Sequence, residues 1–315
     1  LRPGRSCPLS YRHAPGALAQ SPAIPAETLY VVGGLYGNRQ ALEWIVMRAA
    51  RERGPATLVF NGDFHWFDAD RGIFEQVNEA VLGHRALRGN VETEIAGEDS
   101  GAGCGCAYPD FVGEAEVERS NRIIERLRAT ARLFPETRAR LGGLQPYLVA
   151  EVAGIRVGVV HGDAESLAGW GFSQEAMRDP AQRSRAAGWF DAAGVAVFAS
   201  SHSCLPVMQA LDTPRGKRVL ANNGAAGMPN FHGSRYGLIT RVSREAAPDA
   251  LYGTGIEGVR VEALPVRYDH DGFARDFLAS WPAGSPAHAS YHRRITAGPG
   301  YAVADAARLA APAAA

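Results

Sequence analysis

The chain has no surplus charge: its 315 residues carry 33 Lys and Arg against 33 Asp and Glu. That balance removes the broad attraction to phosphate backbones or anionic lipids that a basic protein shows, so neither nucleic acid nor a membrane surface is indicated as a partner. No apolar run comes near the roughly 20 residues that a membrane helix needs. The first 27 residues hold Pro, Gly, Arg and Ser with no continuous apolar stretch, which predicts no secretory leader among them. Cysteine is scarce as well. Cys7, Cys104, Cys106 and Cys204 are the four in the chain, too few for a disulfide scaffold, and reduced thiols in a cytoplasmic protein are the expectation. One local absence matters more. The strand-like "LYVVGGLYGN", Leu29 to Asn38, runs into a tight glycine turn with neither carboxylate nor histidine at its tip.

What is present is an ordinary globular composition, 46% apolar and 21% charged, on a chain long enough for one large domain or two smaller ones. Residues 1–27, with "RPG", "HAPG" and "SPAIPAE", read as a poorly ordered arm, and the terminal "AARLAAPAAA" reads as frayed. Between them short apolar runs alternate with amphipathic stretches. "LYVVG" precedes the helical pattern "NRQALEWIVMRAARE", and "ATLVFNGD" leads to a further helix and then to "HRALRGN". A long charged helix fits "EAEVERSNRIIERLRATARLF", with Val117, Ile123, Ile124, Leu127 and Ala131 close to one face. "PYLVAEVAG" and "IRVGVVHGD" read as paired strands, as do "PVMQALDT" and "GKRVLANNG", with "GVAVFASSH" between the pairs and "YGLITRVS" and "GVRVEALPV" following. This is an α/β pattern that becomes β-rich in its second half.

Five of these strands end in a short polar or glycine turn: "VVGGLYGN", "LVFNGDFHWFD", "ALRGNVE", "VGVVHGD" and "VFASSHS". Open α/β sheets place ligands at the carboxyl ends of their strands. Asp63, Asn90, His161 and His202 are therefore expected to converge. Such a mixed oxygen and nitrogen set suits Mn, Fe or Zn. One "HGD" or "GN" alone is an ordinary turn; four in series are a pattern.

In this order the segments resemble the calcineurin-like metallophosphoesterases. That family's motifs run D-x-H-G-N, G-D-x-x-D, G-N-H-D/E, H-G and G-H-x-H, against "GLYGN" (Gly34 to Asn38), "GDFHWFD" (Gly62 to Asp68), "GNVE" (Gly89 to Glu92), "HGD" (His161 to Asp163) and "SHSC" (Ser201 to Cys204) here. "NNGAAGMPN", Asn222 to Asn230, resembles the "NPGSVGxPR" turn of small bacterial members. The resemblance implies a metallophosphoesterase-like α/β sandwich of two mixed β-sheets flanked by helices over residues 28–268. A lid-like insertion covers 93–145, and a C-terminal extension covers 269–315, wrapping the domain or meeting another copy in a homo-oligomer.

The departures sort by metal. Carried over position by position, one family metal would find Gly34, Tyr36, Asp63 and Cys204, and the other Asp63, Asn90, His161 and His202. All private ligands of the first are replaced; every ligand of the second remains. The resemblance thus implies a hydrolase of small phosphorylated substrates, monoester or diester, with one main divalent ion per chain and metal-bound hydroxide as the attacking group. The family's catalytic His after G-N is Val91 here, and a general acid contributes about 100- to 10,000-fold. Tyr36, His65 and Asp68 are the candidate stand-ins, Arg88, Asn38 and Asn230 the candidate substrate contacts, and Asp163 and Glu165 the candidate orienters of an imidazole. If "GCGCAYP" folds over the strand ends, Cys104, Cys106 and Cys204 offer a thiolate pocket for a soft ion. A tight lid loop with buried thiols, or a disulfide to Cys204, are the other readings. A sensor or scaffold that binds a phospholigand or metal without catalysis is the alternative function.

Overall fold

Strand alternation sorts the chain into two sheets with one apolar interior between them. The computed structural model describes residues 2–98 and 101–309. Its strands are β1 (Ala23–Ala26), β2 (Thr28–Val32), β3 (Ala56–Asn61), β4 (Arg85–Leu87), β5 (Tyr147–Val152), β6 (Ile155–Val160), β7 (Val197–Ser200), β8 (Val207–Thr213), β9 (Gly216–Asn222), β10 (Gly237–Ser243), β11 (Tyr252–Ile256), β12 (Val259–Val266) and β13 (Ala307–Arg308). The helices are α1 (Gly16–Gln20), α2 (Arg39–Ala49), α3 (Arg71–Val81), α4 (Asn90–Ala96), α5 (Glu114–Ala131), α6 (Pro135–Gly142), α7 (Pro180–Ala193), α8 (His270–Ser280), α9 (Pro286–Ala297) and α10 (Val303–Ala306). One sheet runs β1-β5-β6-β7-β9-β8-β13 and the other β11-β12-β10-β2-β3-β4, both mixed.

Parallel strands buried on both faces need apolar residues throughout. β2 meets that demand. Leu29 and Val31 join Val59, Val157, Val159 and Val219 between the sheets, while Tyr30 and Val32 join Phe60, Phe74, Ile45 and Phe273 under the outer helices. Leu18, Phe190 and Phe198 fill the layer outside the other sheet. β2, β3 and β4 are mutually parallel, as are β6, β7 and β9. Their carboxyl ends supply the turns carrying Asp63, Asn90, His161 and His202.

Residues 2–27 correct the expectation of a poorly ordered arm. β1 pairs parallel with β5, Tyr11 and Leu18 are buried, and the Tyr11 hydroxyl donates to Glu94 Oε1 at 2.6 Å. Proline density marks a chain that cannot form long helices, yet two buried anchors and one edge strand hold it. The far end is built in too. Trp281, after α8, is 1% exposed and donates its Nε1 to the Phe67 carbonyl at 2.8 Å, and β13 adds to the sheet edge beside β8. Residues 310–315, most of the alanine-rich tail, lie outside the described residues.

Candidate metal centre

Glycine lets the two ligand-bearing turns touch. A Cβ at Gly89 would lie 2.3 Å from Asp63 Oδ1, and one at Gly62 would lie 2.5 Å from the Gly89 nitrogen, so neither position tolerates a side chain. Asp63 follows at φ 50°, in the left-handed region that disfavours L residues. Glu92 holds that turn. Buried in the first turn of α4, it accepts from the backbone N–H groups of Asp63 (2.8 Å), Gly89 (2.7 Å) and His65 (3.3 Å). Asp63 Oδ1 then accepts from Val91 N–H at 3.2 Å, which leaves Oδ2 facing inward.

Each remaining ligand candidate is oriented by a carbonyl. His161 Nδ1 donates to the Asn61 carbonyl at 2.8 Å. His202 Nε2 donates to the Cys106 carbonyl at 3.0 Å. Asn90 Nδ2 donates to the Cys104 carbonyl at 2.9 Å. The other polar atom of each side chain therefore turns to the centre: His161 Nε2 lies 3.1 Å from Asn90 Oδ1, 3.2 Å from His202 Nδ1 and 3.3 Å from Asp63 Oδ2. All four residues are buried.

Three acceptors thus surround one imidazole nitrogen, and such a knot needs a cation. Burial disfavours charge on His161 and Asp63, but their mutual attraction outweighs it, holding His161 above its ordinary range and Asp63 below. Burial and the charge of His161 push His202 down to about 4. Without metal, one proton on His161 Nε2 serves the group. With metal, the donor set fits a divalent ion. Bonds of about 2.0–2.1 Å in a tetrahedral shell put neighbouring donors roughly 3.3–3.4 Å apart, close to the spacings here, and both imidazoles have the outer hydrogen bond that fixes the metal-binding tautomer.

The other half of the centre is filled by protein. A Cβ at Gly34 would lie 2.9 Å from the Cε2, Cζ and Oη atoms of Tyr36, so the phenol occupies the space a side chain at 34 would enter. Its hydroxyl meets Cys204 Sγ at 3.0 Å. Burial and the neighbouring Cys204 push the Tyr36 phenol well up, and burial raises the Cys204 thiol too. Neither is set up as an anionic ligand.

Other expectations need correction. His65 and Asp68 do not line the cavity: His65 Nδ1 donates to Asp68 Oδ2 at 2.5 Å and Nε2 to Asn78 Oδ1 at 3.1 Å, with the ring stacked on Phe74. Burial opposes charge on His65, yet Asp68 raises it above the usual range. Together they are a buried ion pair under α3. Asn38 caps α2, accepting from Ala41 N–H, and donates to the Gly227 carbonyl. Asn230 is consumed by Ala225 and Met228 backbone groups. Arg88 donates to the Gly142 carbonyl and is absent from the cavity wall. Asp163 accepts from the Glu165, Ser166 and Gly171 N–H groups, so it organises its own turn rather than an imidazole. Nor do the three thiols form one donor group. All four cysteines are free, and among the described residues the one group of three His, Cys, Asp or Glu donors within 4.8 Å of each other is Asp63, His161 and His202.

"GCGCAYP" does fold over the strand ends. Cys106 and Tyr108 from it, with Trp170, Trp66 and Tyr291, roof the centre, and Trp170 Nε1 donates to the same Cys106 carbonyl that His202 uses. About 30 Å³ remains open beneath them, room for an ion and a water or two. These aromatic residues come from separate segments, and no motif spacing marks them.

Two mixed sheets flanked by helices make this a calcineurin-like metallophosphoesterase fold, with the donor group at the strand ends. Among solved structures, the chain is similar to a metallophosphoesterase from Sphaerobacter thermophilus, with TM-score 0.52 and 18% identity over 86% of this chain and 100% of that one. A hypothetical protein from Pyrococcus horikoshii matches with TM-score 0.55 and 14% identity, over 87% of this chain and 99% of that one. No family model and no curated protein sequence matches. Among the described residues, no helix is long and apolar enough to cross a membrane.

Proposed function

We propose that the protein hydrolyses small phosphoric esters, using one divalent ion (Mn, Fe or Zn) held by Asp63, Asn90, His161 and His202. One observation carries the reading: the inward-facing atoms of Asn90, His202 and Asp63 stand 3.1–3.3 Å from His161 Nε2, while Tyr36 and Cys204 fill the adjoining half. An ion bound there would supply a Lewis acid for a phosphoryl oxygen and would lower a water's pKa from 15.7 toward about 7. The chain's own residues do the rest. The Asn61, Cys104 and Cys106 carbonyls keep three ligands aimed inward, Glu92 keeps Asp63 in place, and the aromatic roof excludes bulk water. Of the three candidates for the absent general acid, Tyr36 alone lines the cavity, and its raised pKa keeps a proton on the phenol.

Metal analysis of protein purified without added metal tests this, with Asp63→Ala and Cys204→Ala beside wild type. One ion per chain, lost in Asp63→Ala and kept in Cys204→Ala, is the expected result, followed by turnover of phosphoesters with added Mn. Protein that takes up no metal on titration removes the proposal. A second reading, a phospholigand or metal sensor without turnover, is favoured by Val91 at the acid position and by the 30 Å³ space. Metal uptake without hydrolysis of any ester would select it.

A further inference from the structure

We infer that the site takes phosphodiesters with a single negative charge and a flat aromatic group in preference to phosphate monoesters; this rests on the phosphoesterase reading above. The argument begins with a missing charge. No Lys or Arg lines the cavity. Of the 33 in the chain, none falls in the strand-end turns 33–38, 62–69, 89–98, 201–206 and 222–230, nor in the covering segments 101–113 and 161–175. The absence therefore holds for these turns and covering loops; α9, which brings Tyr291 to the roof, carries Arg293 and Arg294, and neither lines the cavity. The guanidinium groups nearby are committed elsewhere. Arg294 of α9 donates to the Cys204 and Pro229 carbonyls, and Arg5 to the Pro109 and Val112 carbonyls and to Glu114.

Phosphate dianions are normally met by forked guanidinium donors or several ammonium groups. Here a divalent ion with one carboxylate ligand, two neutral imidazoles and an amide leaves a single net positive charge at the donor set, and behind it the Glu92 carboxylate on the Asp63 turn stands against the Arg294 guanidinium beside Cys204. A diester monoanion cancels it. A monoester dianion leaves one negative charge uncompensated among buried aromatic walls, where charge is strongly disfavoured. The walls favour the other part of the molecule. Trp170 lies edge-on to His202 with ring centroids 5.4 Å apart, and tilted to Tyr108 at 6.0 Å; Trp66 meets Tyr291 edge-on at 6.5 Å. These rings offer stacking surfaces to a planar group, such as an aryl ring or a nucleobase.

The test has two readouts. Mn-loaded protein is given bis(p-nitrophenyl) phosphate and p-nitrophenyl phosphate. Binding of two compounds with no ester bond, methyl(phenyl)phosphinate (one charge) and phenylphosphonate at a pH where it carries two, is followed by tryptophan fluorescence. The expected outcome is kcat/KM at least about tenfold higher for the diester, with the monoanion bound about tenfold more tightly. Trp170→Ala lowers both by about tenfold, the loss of one stacked ring, with metal content unchanged; Trp170→Phe retains most of each. Equal or better use of the monoester, or equal binding of the phosphinate and the phosphonate, overturns the inference and leaves the phosphoesterase reading standing. Preference for the monoanion without turnover of either ester removes the hydrolase and keeps the selectivity. No binding and no turnover removes both.

Discussion

Aspartate at position 34 tests how the first half of the centre was closed. Gly34 sits at φ 65°, a conformation that costs an L residue about 1–2 kcal/mol. Its Cβ would also press on the Tyr36 phenol, which is 3% exposed and bonded to Cys204, so it cannot swing into solvent. Displacing a packed ring costs about 1–3 kcal/mol, which puts Gly34→Asp at about 2–5 kcal/mol destabilising. Tyr36→His alone loses ring packing and the hydroxyl contact, about 1–3 kcal/mol. In the double variant the long phenol is gone, and with it the second cost of Gly34→Asp. Urea unfolding of the four proteins should therefore show the double variant less destabilised than the sum by about 1–3 kcal/mol. Adding Cys204→His to the pair should raise the metal content toward two ions per chain. Additivity within about 0.5 kcal/mol would refute the claim that Tyr36 fills the first-metal space.

The remaining predictions are briefer. Mn or Zn at about 100 times its Kd should stabilise wild type by about 2.7 kcal/mol and leave Asp63→Ala unmoved in thermal scanning; equal shifts would remove Asp63 from the ligand set. Glu92→Gln cannot accept from all three backbone N–H groups. It should cost about 1–3 kcal/mol and weaken metal binding about 10- to 100-fold, read by calorimetric titration; wild-type affinity would dismiss its positioning role. The hydrogen bond from Arg48 holds the Asp249 carboxyl below its ordinary value. Its stabilisation is therefore complete above the unfolded pKa of about 3.9 and lost as pH falls through the lower folded one. The pair is partly exposed, so the gap between wild type and Asp249→Asn should be under about 1 kcal/mol near pH 6, closing toward pH 2.5; a gap that persists there contradicts the assignment. Arg5→Ala should speed hydrogen exchange across 101–113 while β6 stays protected, and unchanged exchange would mean that Arg5 does not hold the cover.

The convergence of Asp63, Asn90, His161 and His202 is legible in the sequence because each follows an apolar strand within three residues, close enough to fix its place at the sheet edge. Such a signal marks nearness to the edge and says nothing of direction. His65 and Asp68 stand in the same turn as Asp63, yet their side chains close on each other under Phe74. Asn38 and Asn230 stand in motif turns, yet their amides serve the backbone. The sequence pattern also misses β11, "YGTGI", whose two glycines break any apolar alternation and whose place depends on pairing with β12. The arm at 2–27 escapes for a similar reason: local propensity is poor there, and its order comes from contacts with residues far along the chain. Tyr108 and Trp170 follow the same rule, since they meet over the centre from loops whose spacing carries no period.

Two of the four ligand candidates owe their aim to the segment that closes the cavity. His202 gives its Nε2 proton to the Cys106 carbonyl and Asn90 its amide to the Cys104 carbonyl, and Trp170 donates to the Cys106 oxygen as well. Lifting this loop would break three hydrogen bonds at two carbonyls at once. A buried donor left without a partner costs about 1–3 kcal/mol, so the cover resists opening onto nothing. Opening is then least costly when a molecule with acceptors in those places replaces the carbonyls. Access and ligand orientation are in this way one equilibrium, governed by the same few hydrogen bonds.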